Sequence, residues 1–278
     1  MDLLIEKHDS SKAFISQFKV LVTEFEESAP VVKRNNTELD QRNGAIDFGG
    51  WHSVKEIKMT AIYKANGMDE EERLREKIYA LLSDPDGYYI TQFKTSPLDK
   101  LQRPGETTGD YFEQLTDYPS HKRFNVYASE IENEFQGRIG DELLYKLAVT
   151  FKTLWLPYGE TPARDVVLNK NEASTAVIKY IGTVPCNQLE QGFKIRFIAS
   201  QEANHLDLSM NGETVTYNDT VHSGDVFEFA GFSYKLNGLS IANKVTKKYY
   251  RLKPNGENIL RCNITGKFEI IKFQNLYA

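Results

Sequence analysis

Five histidines, His8, His52, His121, His205 and His222, are the first residues to test for chemistry. None stands at a spacing that turns two imidazoles onto one metal ion. His205 and Asp207, two apart, would share one face of a strand, which is half of a metal site at most. We read them as a surface pair. The carboxylates of Glu24-Phe25-Glu26-Glu27 alternate around an aromatic ring, as on the wetted face of a strand, and do not form an acid–base pair of the glycosidase kind. There is no glycine-rich phosphate loop, no dinucleotide turn and no nucleophile elbow. Cys186 and Cys262 are expected as two free, partly buried thiols, with a single bridge as the alternative. These observations predict a protein that is not an enzyme and carries no cofactor and no metal.

Aromatic side chains offer a second kind of chemistry, the stacking of a sugar ring. Trp51, Trp155, Tyr249 and Tyr250 are the candidates for such a glycan platform, although core packing is the commoner use of such rings. Trp155 falls on the apolar face of its expected strand. It is assigned to the core, where truncation to alanine would cost about 3–5 kcal/mol.

The elements that must carry these residues are mostly strands. Phe18–Thr23, Ile57–Tyr63, Tyr88–Phe93 and Phe124–Ala128 alternate apolar and polar positions with a period of two. Leu143 to Tyr158 fits both a helix and a strand. Its β-branched and aromatic members favour one long strand ending at Pro157-Tyr158-Gly159. One helix is expected near 70–82, with Asp69 as cap, Glu72 completing a capping box, and Leu74, Ile78, Leu81 and Leu82 as its apolar stripe. Ser83-Asp84-Pro85 ends it. Thr95–Lys122, with three prolines and two glycines, reads as an excursion, either a projecting hairpin arm or a surface loop.

The proline- and glycine-bearing run 157–164 marks a linker, giving one domain over 1–160 and another over 165–278. The second shows nine short strands, at Ala176–Tyr180, Phe193–Ala199, His205–Met210, Val215–Tyr217, Val226–Ala230, Ser233–Leu236, Lys248–Leu252, Ile259–Asn263 and Phe268–Phe273. Asn211-Gly212, Asn237-Gly238 and Pro254-Asn255-Gly256 separate several of them, as in an all-β sandwich.

Length and composition agree. The chain has 278 residues, 40% hydrophobic and 12% aromatic, and a net charge of −5. That length suits two domains, and the aromatics suit strands. The negative balance and the absence of a basic stripe argue against sequence-specific nucleic-acid binding. No apolar run is long enough for a transmembrane helix, and Met1–His8 does not read as a signal peptide, so membrane insertion is not expected. The Asn-x-Thr triplets at Asn35, Asn218 and Asn263 are then chance matches.

Several segments together resemble one family, the distal tail proteins (Dit) of siphophages and of prophages of Gram-positive bacteria. Val149-Thr150-Phe151-Lys152 with Leu156-Pro157-Tyr158-Gly159 is similar to the strand and corner that close the family's first domain, with Leu156 where an acid is usual. Asn43-Gly44-Ala45-Ile46-Asp47 resembles its early glycine turn, and Asp69–Leu82 stands where its one helix stands. Gly182-Thr183 with Pro185 is similar to the start of its second domain. Ser223-Gly224-Asp225-Val226, Asn237-Gly238 and Leu252–Ile259 resemble its closing pattern, with Asn255 inserted before the glycine.

The resemblance implies a mainly β protein: an N-terminal tail-tube-like β-sandwich with one helix, and a C-terminal galectin-like or carbohydrate-module-like β-sandwich. It implies a virion protein at the distal end of the tail, forming a homohexameric ring around the DNA channel. Its partners would be the tail tube protein, the tail-tip or tail-associated lysin protein, a receptor-binding protein and the tape-measure protein. The residues of a galectin sugar site have no counterpart here, so the second domain is expected to dock other components. The alternative is a carbohydrate-binding protein that recognises host cell-wall glycan.

Overall fold

The computed structural model describes residues 1–40, 43–95 and 117–278. It is mainly β, and divides into two compact units, Met1–Gly159 and Glu160–Ala278.

The first unit is built on one antiparallel sheet. Its strands are β1 (Asp2–Lys7), β2 (Lys12–Phe14), β3 (Val20–Glu27), β6 (Glu56–Ala65), β7 (Tyr88–Thr95), β8 (Asp117–Pro119), β9 (Phe124–Ile139) and β10 (Glu142–Thr153). Between β3 and β6 the chain makes a separate hairpin of β4 (Val32–Glu38) and β5 (Ala45–His52). The sheet order is β2-β1-β7-β9-β10-β6-β3, with β8 paired to β7. Alternation decides which face is buried. Ile57, Met59, Ala61 and Tyr63 on β6 face the same core as Leu143, Tyr145, Leu147, Val149 and Phe151 on β10. The expected excursion Thr95–Lys122 lies largely outside the described residues; its described ends pair, Phe93 opposite Pro119.

Helix α1 (Met68–Leu82) lays Ile78 and Leu82 on this core, with Leu74 and Leu81 half-buried beside them. Its start differs from expectation. The cap is Gly67, without a side-chain bond, and Glu70, not Glu72, reaches back to accept the Asn66 N–H at 2.8 Å. The core-buried strand β6 runs up to Ala65, which leaves only Asn66 and Gly67 to make the turn, so the helix begins two residues earlier. Glu71 is buried and useful there. It accepts the Tyr63 hydroxyl at 3.0 Å and the Asn133 amide at 3.3 Å, and meets Arg75 at 3.5 Å.

The long strand expected up to Tyr158 stops at Thr153. Its parity holds that far, since Thr153 is buried. Leu154 N–H then bonds the Asn125 carbonyl at 3.0 Å and the chain bends. Beyond a bend the period of two no longer assigns faces. Trp155 is 82% exposed, and its assignment to the core is corrected.

The second unit opens after the short β11 (Gly159–Glu160). It contains β12 (Arg164–Val167), β13 (Ala173–Tyr180), β14 (Cys186–Asn187), β15 (Lys194–Ala199), β16 (Leu206–Met210) and β17 (Glu213–Tyr217). β18 (Val226–Ala230), β19 (Ser233–Leu236), β20 (Leu239–Ser240), β21 (Arg251–Leu252), β22 (Gly256–Phe273) and β23 (Leu276–Tyr277) follow. β22 organises the unit. Its first half pairs with β13 and β16, and its second half with β15 and β12. The two strands expected at 259–263 and 268–273 are therefore one. Its partners change over around Gly266, where an added Cβ would meet the Ile198 carbonyl at 2.3 Å and the Phe197 ring at 2.5 Å.

Phe197 and Phe268 lie 4.8 Å apart, and Tyr217 meets Phe227 at 5.3 Å, in a core rich in rings. The strand expected at Lys248–Leu252 shrinks to β21, because Lys248–Tyr250 run outside any ladder. The Asn-Gly turns are as expected. Asn211 and Gly212 have φ of 53° and 96°, and Asn237 and Gly238 50° and 82°, both residues left-handed as a tight hairpin requires.

Candidate functional site

The described residues hold no cluster of three or more His, Cys, Asp or Glu side chains able to grip a metal ion. His205 Nε2 lies 3.5 Å from Asp207, whose carboxylate also accepts the Thr216 hydroxyl at 2.6 Å. Both are well exposed, and two groups make no ligand set. Cys186 and Cys262 are free and buried. Burial pushes the Cys186 thiol up to about 12 and the Cys262 thiol to about 11, which keeps both protonated and unreactive.

The expected glycan platform does not assemble. Tyr250 is 0% exposed, its hydroxyl donating to the Leu208 carbonyl at 2.6 Å and its N–H to Gln188 at 2.8 Å. Such a ring is core and has no face for a sugar. Tyr249 is half-buried and packs edge-to-face on Phe232, at 5.4 Å between ring centres. Trp51 lies in the other unit, on β5, and is 54% exposed. Phe232 itself is 54% exposed. Its signal is a bulky apolar residue inside a Gly231-Phe232 turn, where a polar one is usual.

Hairpin β4–β5 is marked in the sequence only by its turn glycine, Gly44, whose φ is +80°. Nearly every residue of both strands is exposed, including Val32, Phe48 and Trp51. The hairpin is held to its unit at the root. Val31 N–H donates to the Val54 carbonyl at 2.8 Å, Ser53 N–H to the Val31 carbonyl at 2.9 Å, and Ser28 N–H to the Glu56 carbonyl at 2.9 Å. Beside this root Lys55, only 2% exposed, meets Glu27 at 3.1 Å, and Lys122 meets the same carboxylate at 2.8 Å. Both ammonium groups also stand over the Phe124 ring, at 5.2 and 5.3 Å. Burial alone would raise the Glu27 carboxyl, but the bonds and charges of Lys122 and Lys55 outweigh it and hold it below its ordinary value. Burial pulls Lys55 below the usual lysine value, against the opposing pull of Glu27.

The neighbouring edge of the sheet is open. β3 pairs only with β6, so its outer row of backbone groups has no strand beside it among the described residues. A bulge between Val22 and Glu24 and the exposed Glu24 and Glu26 blunt it against indiscriminate pairing.

No family model matches the sequence, and no curated protein does. Solved structures do match. The crystal structure of the Dit protein (gp 19.1) of SPP1, described as a paradigm of the hub adsorption apparatus in phages that infect Gram-positive bacteria, superposes with a TM-score of 0.64. The match covers 99% of each chain, at 12% identity. This chain has the fold of a phage distal tail hub protein. The phage P2 baseplate in its activated conformation also matches, with TM-scores of 0.39 with calcium and 0.37 with strontium and 7% identity, too distant to bear on the fold. The hub fold spans the whole chain, so neither unit of this protein is an addition to it.

Proposed function

We propose that the chain is a structural subunit of a phage distal tail hub. Copies would close into a ring that joins the tail tube to the tail-tip components and carries receptor-binding parts. The observation that carries this reading is the full-length hub fold, 99% of each chain at a TM-score of 0.64. The exposed hairpin supports it. Apolar side chains on a two-stranded ribbon with no core of its own need a neighbour to cover them. A ring in which each copy offers its hairpin and receives another on a different surface is closed by rotation and leaves two distinct faces for two distinct partners. Six copies are expected, as are the tube, tail-tip, receptor-binding and tape-measure partners.

Light scattering of the purified chain tests the ring. The expected mass is six times the 31.8 kDa of one chain at high concentration. The double variant Phe48→Glu, Trp51→Glu should be monomeric and still melt cooperatively, since both side chains are exposed within one chain. A wild type that stays monomeric and fails to bind tail tube protein would overturn the proposal. A second reading, a protein that recognises cell-wall glycan, is favoured by the exposed indole of Trp155. Its test is a glycan array probed with wild type and Trp155→Ala.

A further inference from the structure

The second unit contains a half-open pocket of about 350 Å³ between the β16–β17 turn and the β21–β22 turn. Its floor is apolar, formed by Met210 and the fully buried Leu252. Pro185 and Pro254 are its walls. Two cations stand on its rim. Leu252 faces the core, so Arg251 and Lys253 on either side of it share the outward face. Both are exposed, and neither has a carboxylate partner among the described residues.

The backbone under these cations is pinned. Asn211 Nδ2 donates to the Arg251 carbonyl at 2.9 Å and to Asn258 at 2.6 Å. Asn258, itself 0% exposed, accepts the Lys253 N–H at 2.7 Å and returns a bond to the Lys253 carbonyl at 3.2 Å. Asn255 N–H bonds the Gly182 carbonyl at 3.0 Å. A site whose backbone is already fixed loses little ordering entropy when it binds.

The remaining polar groups restrict the ligand. Asn211 spends its amide N–H groups on protein and keeps its carbonyl oxygen as an acceptor. Glu213 is bridged to Lys248 at 3.1 Å and retains a second carboxylate oxygen. Acceptors on one side suit hydroxyl donors, and cations on the other suit an anion. No lining residue is aromatic, so a nucleotide base would find nothing to stack on. We propose that this pocket binds an anionic sugar unit, with a phosphate or carboxylate on Arg251 and Lys253 and hydroxyls on Asn211 and Glu213.

The inference does not depend on ring assembly and is tested separately, by titration calorimetry of the full chain with glucose 6-phosphate, glucuronate, glucose and inorganic phosphate. The first two should bind saturably in the millimolar range, and glucose and phosphate about tenfold more weakly. Arg251→Ala and Lys253→Ala should each weaken glucose 6-phosphate at least about fivefold with no change in melting temperature, and raised salt should act in the same direction. Phosphate binding as tightly as glucose 6-phosphate would leave a plain anion site and overturn the sugar assignment. No saturable binding up to about 20 mM, or affinity unchanged when Arg251→Ala and Lys253→Ala are combined, would overturn the site itself.

Discussion

Tyr250 and Trp155 show how burial, not residue type, sets what an aromatic side chain contributes. Tyr250 fills the core of the second unit and satisfies the Leu208 carbonyl. Truncation to alanine should cost about 3–5 kcal/mol, and Tyr250→Phe about 1 kcal/mol, because the phenylalanine keeps the volume and loses only the hydroxyl's bond to that carbonyl. Trp155→Ala should cost under about 1 kcal/mol, since its indole leaves little water when the chain folds. Urea titration of the three variants checks the order, and a costly Trp155→Ala would mean the indole is covered. Glu27 gives a pH test. Its folded pKa is depressed, so the folded chain binds fewer protons there than the unfolded one. Its stabilisation is full above the ordinary value of 4.5 and is lost as pH falls through the lower folded value. Glu27→Gln should destabilise by about 1–2 kcal/mol at pH 7, allowing for solvent screening of a carboxylate that is one-third exposed. The gap from wild type should close below about pH 4. A gap independent of pH would sink the assignment of Glu27 as the counterion of Lys55.

At the scale of elements, β22 is the test piece. This 18-residue strand serves four partners, and where they change over Ile198 and Phe197 leave no room for a side chain at Gly266. Gly266→Ala should therefore destabilise the second unit by about 1–3 kcal/mol or more. Gly256→Ala, at the start of the same strand, meets only the Pro254 carbonyl at 3.7 Å and should be nearly neutral. Equal melting shifts for the two would show that the packing around Gly266 relaxes freely. Alternation in the sequence located both halves of β22. It did not show that they join, because Ile264 to Lys267 contains the glycine and threonine that elsewhere mark a turn. In the same way it read Leu143 to Thr153 correctly as a strand face and failed two residues later, where a bend and not a residue type ends the ladder.

For the whole molecule, each unit encloses a core of its own. Residues 160–278 expressed alone should give a dispersed amide spectrum and a cooperative melt. A collapsed, undispersed spectrum would mean that the second unit needs the first to fold. A surface with an exposed hairpin on one unit and a cation-rimmed pocket on the other suits a component that is held in place by some contacts and makes others. Light scattering and calorimetry read those two roles independently.

By itself the sequence determined the mainly β class, helix α1, the Asn-Gly hairpins and the absence of recognisable catalytic motifs, because each is written locally, in periods of two or 3.6 and in residues that tolerate a left-handed backbone. Only the tertiary structure decided which aromatics face water, that Glu71 is buried beneath Tyr63 and Asn133, that Glu27 serves two lysines, and that Arg251 and Lys253 overlook an apolar pocket. Those facts depend on residues far apart in the chain meeting in space, and period and turn chemistry carry no record of such meetings.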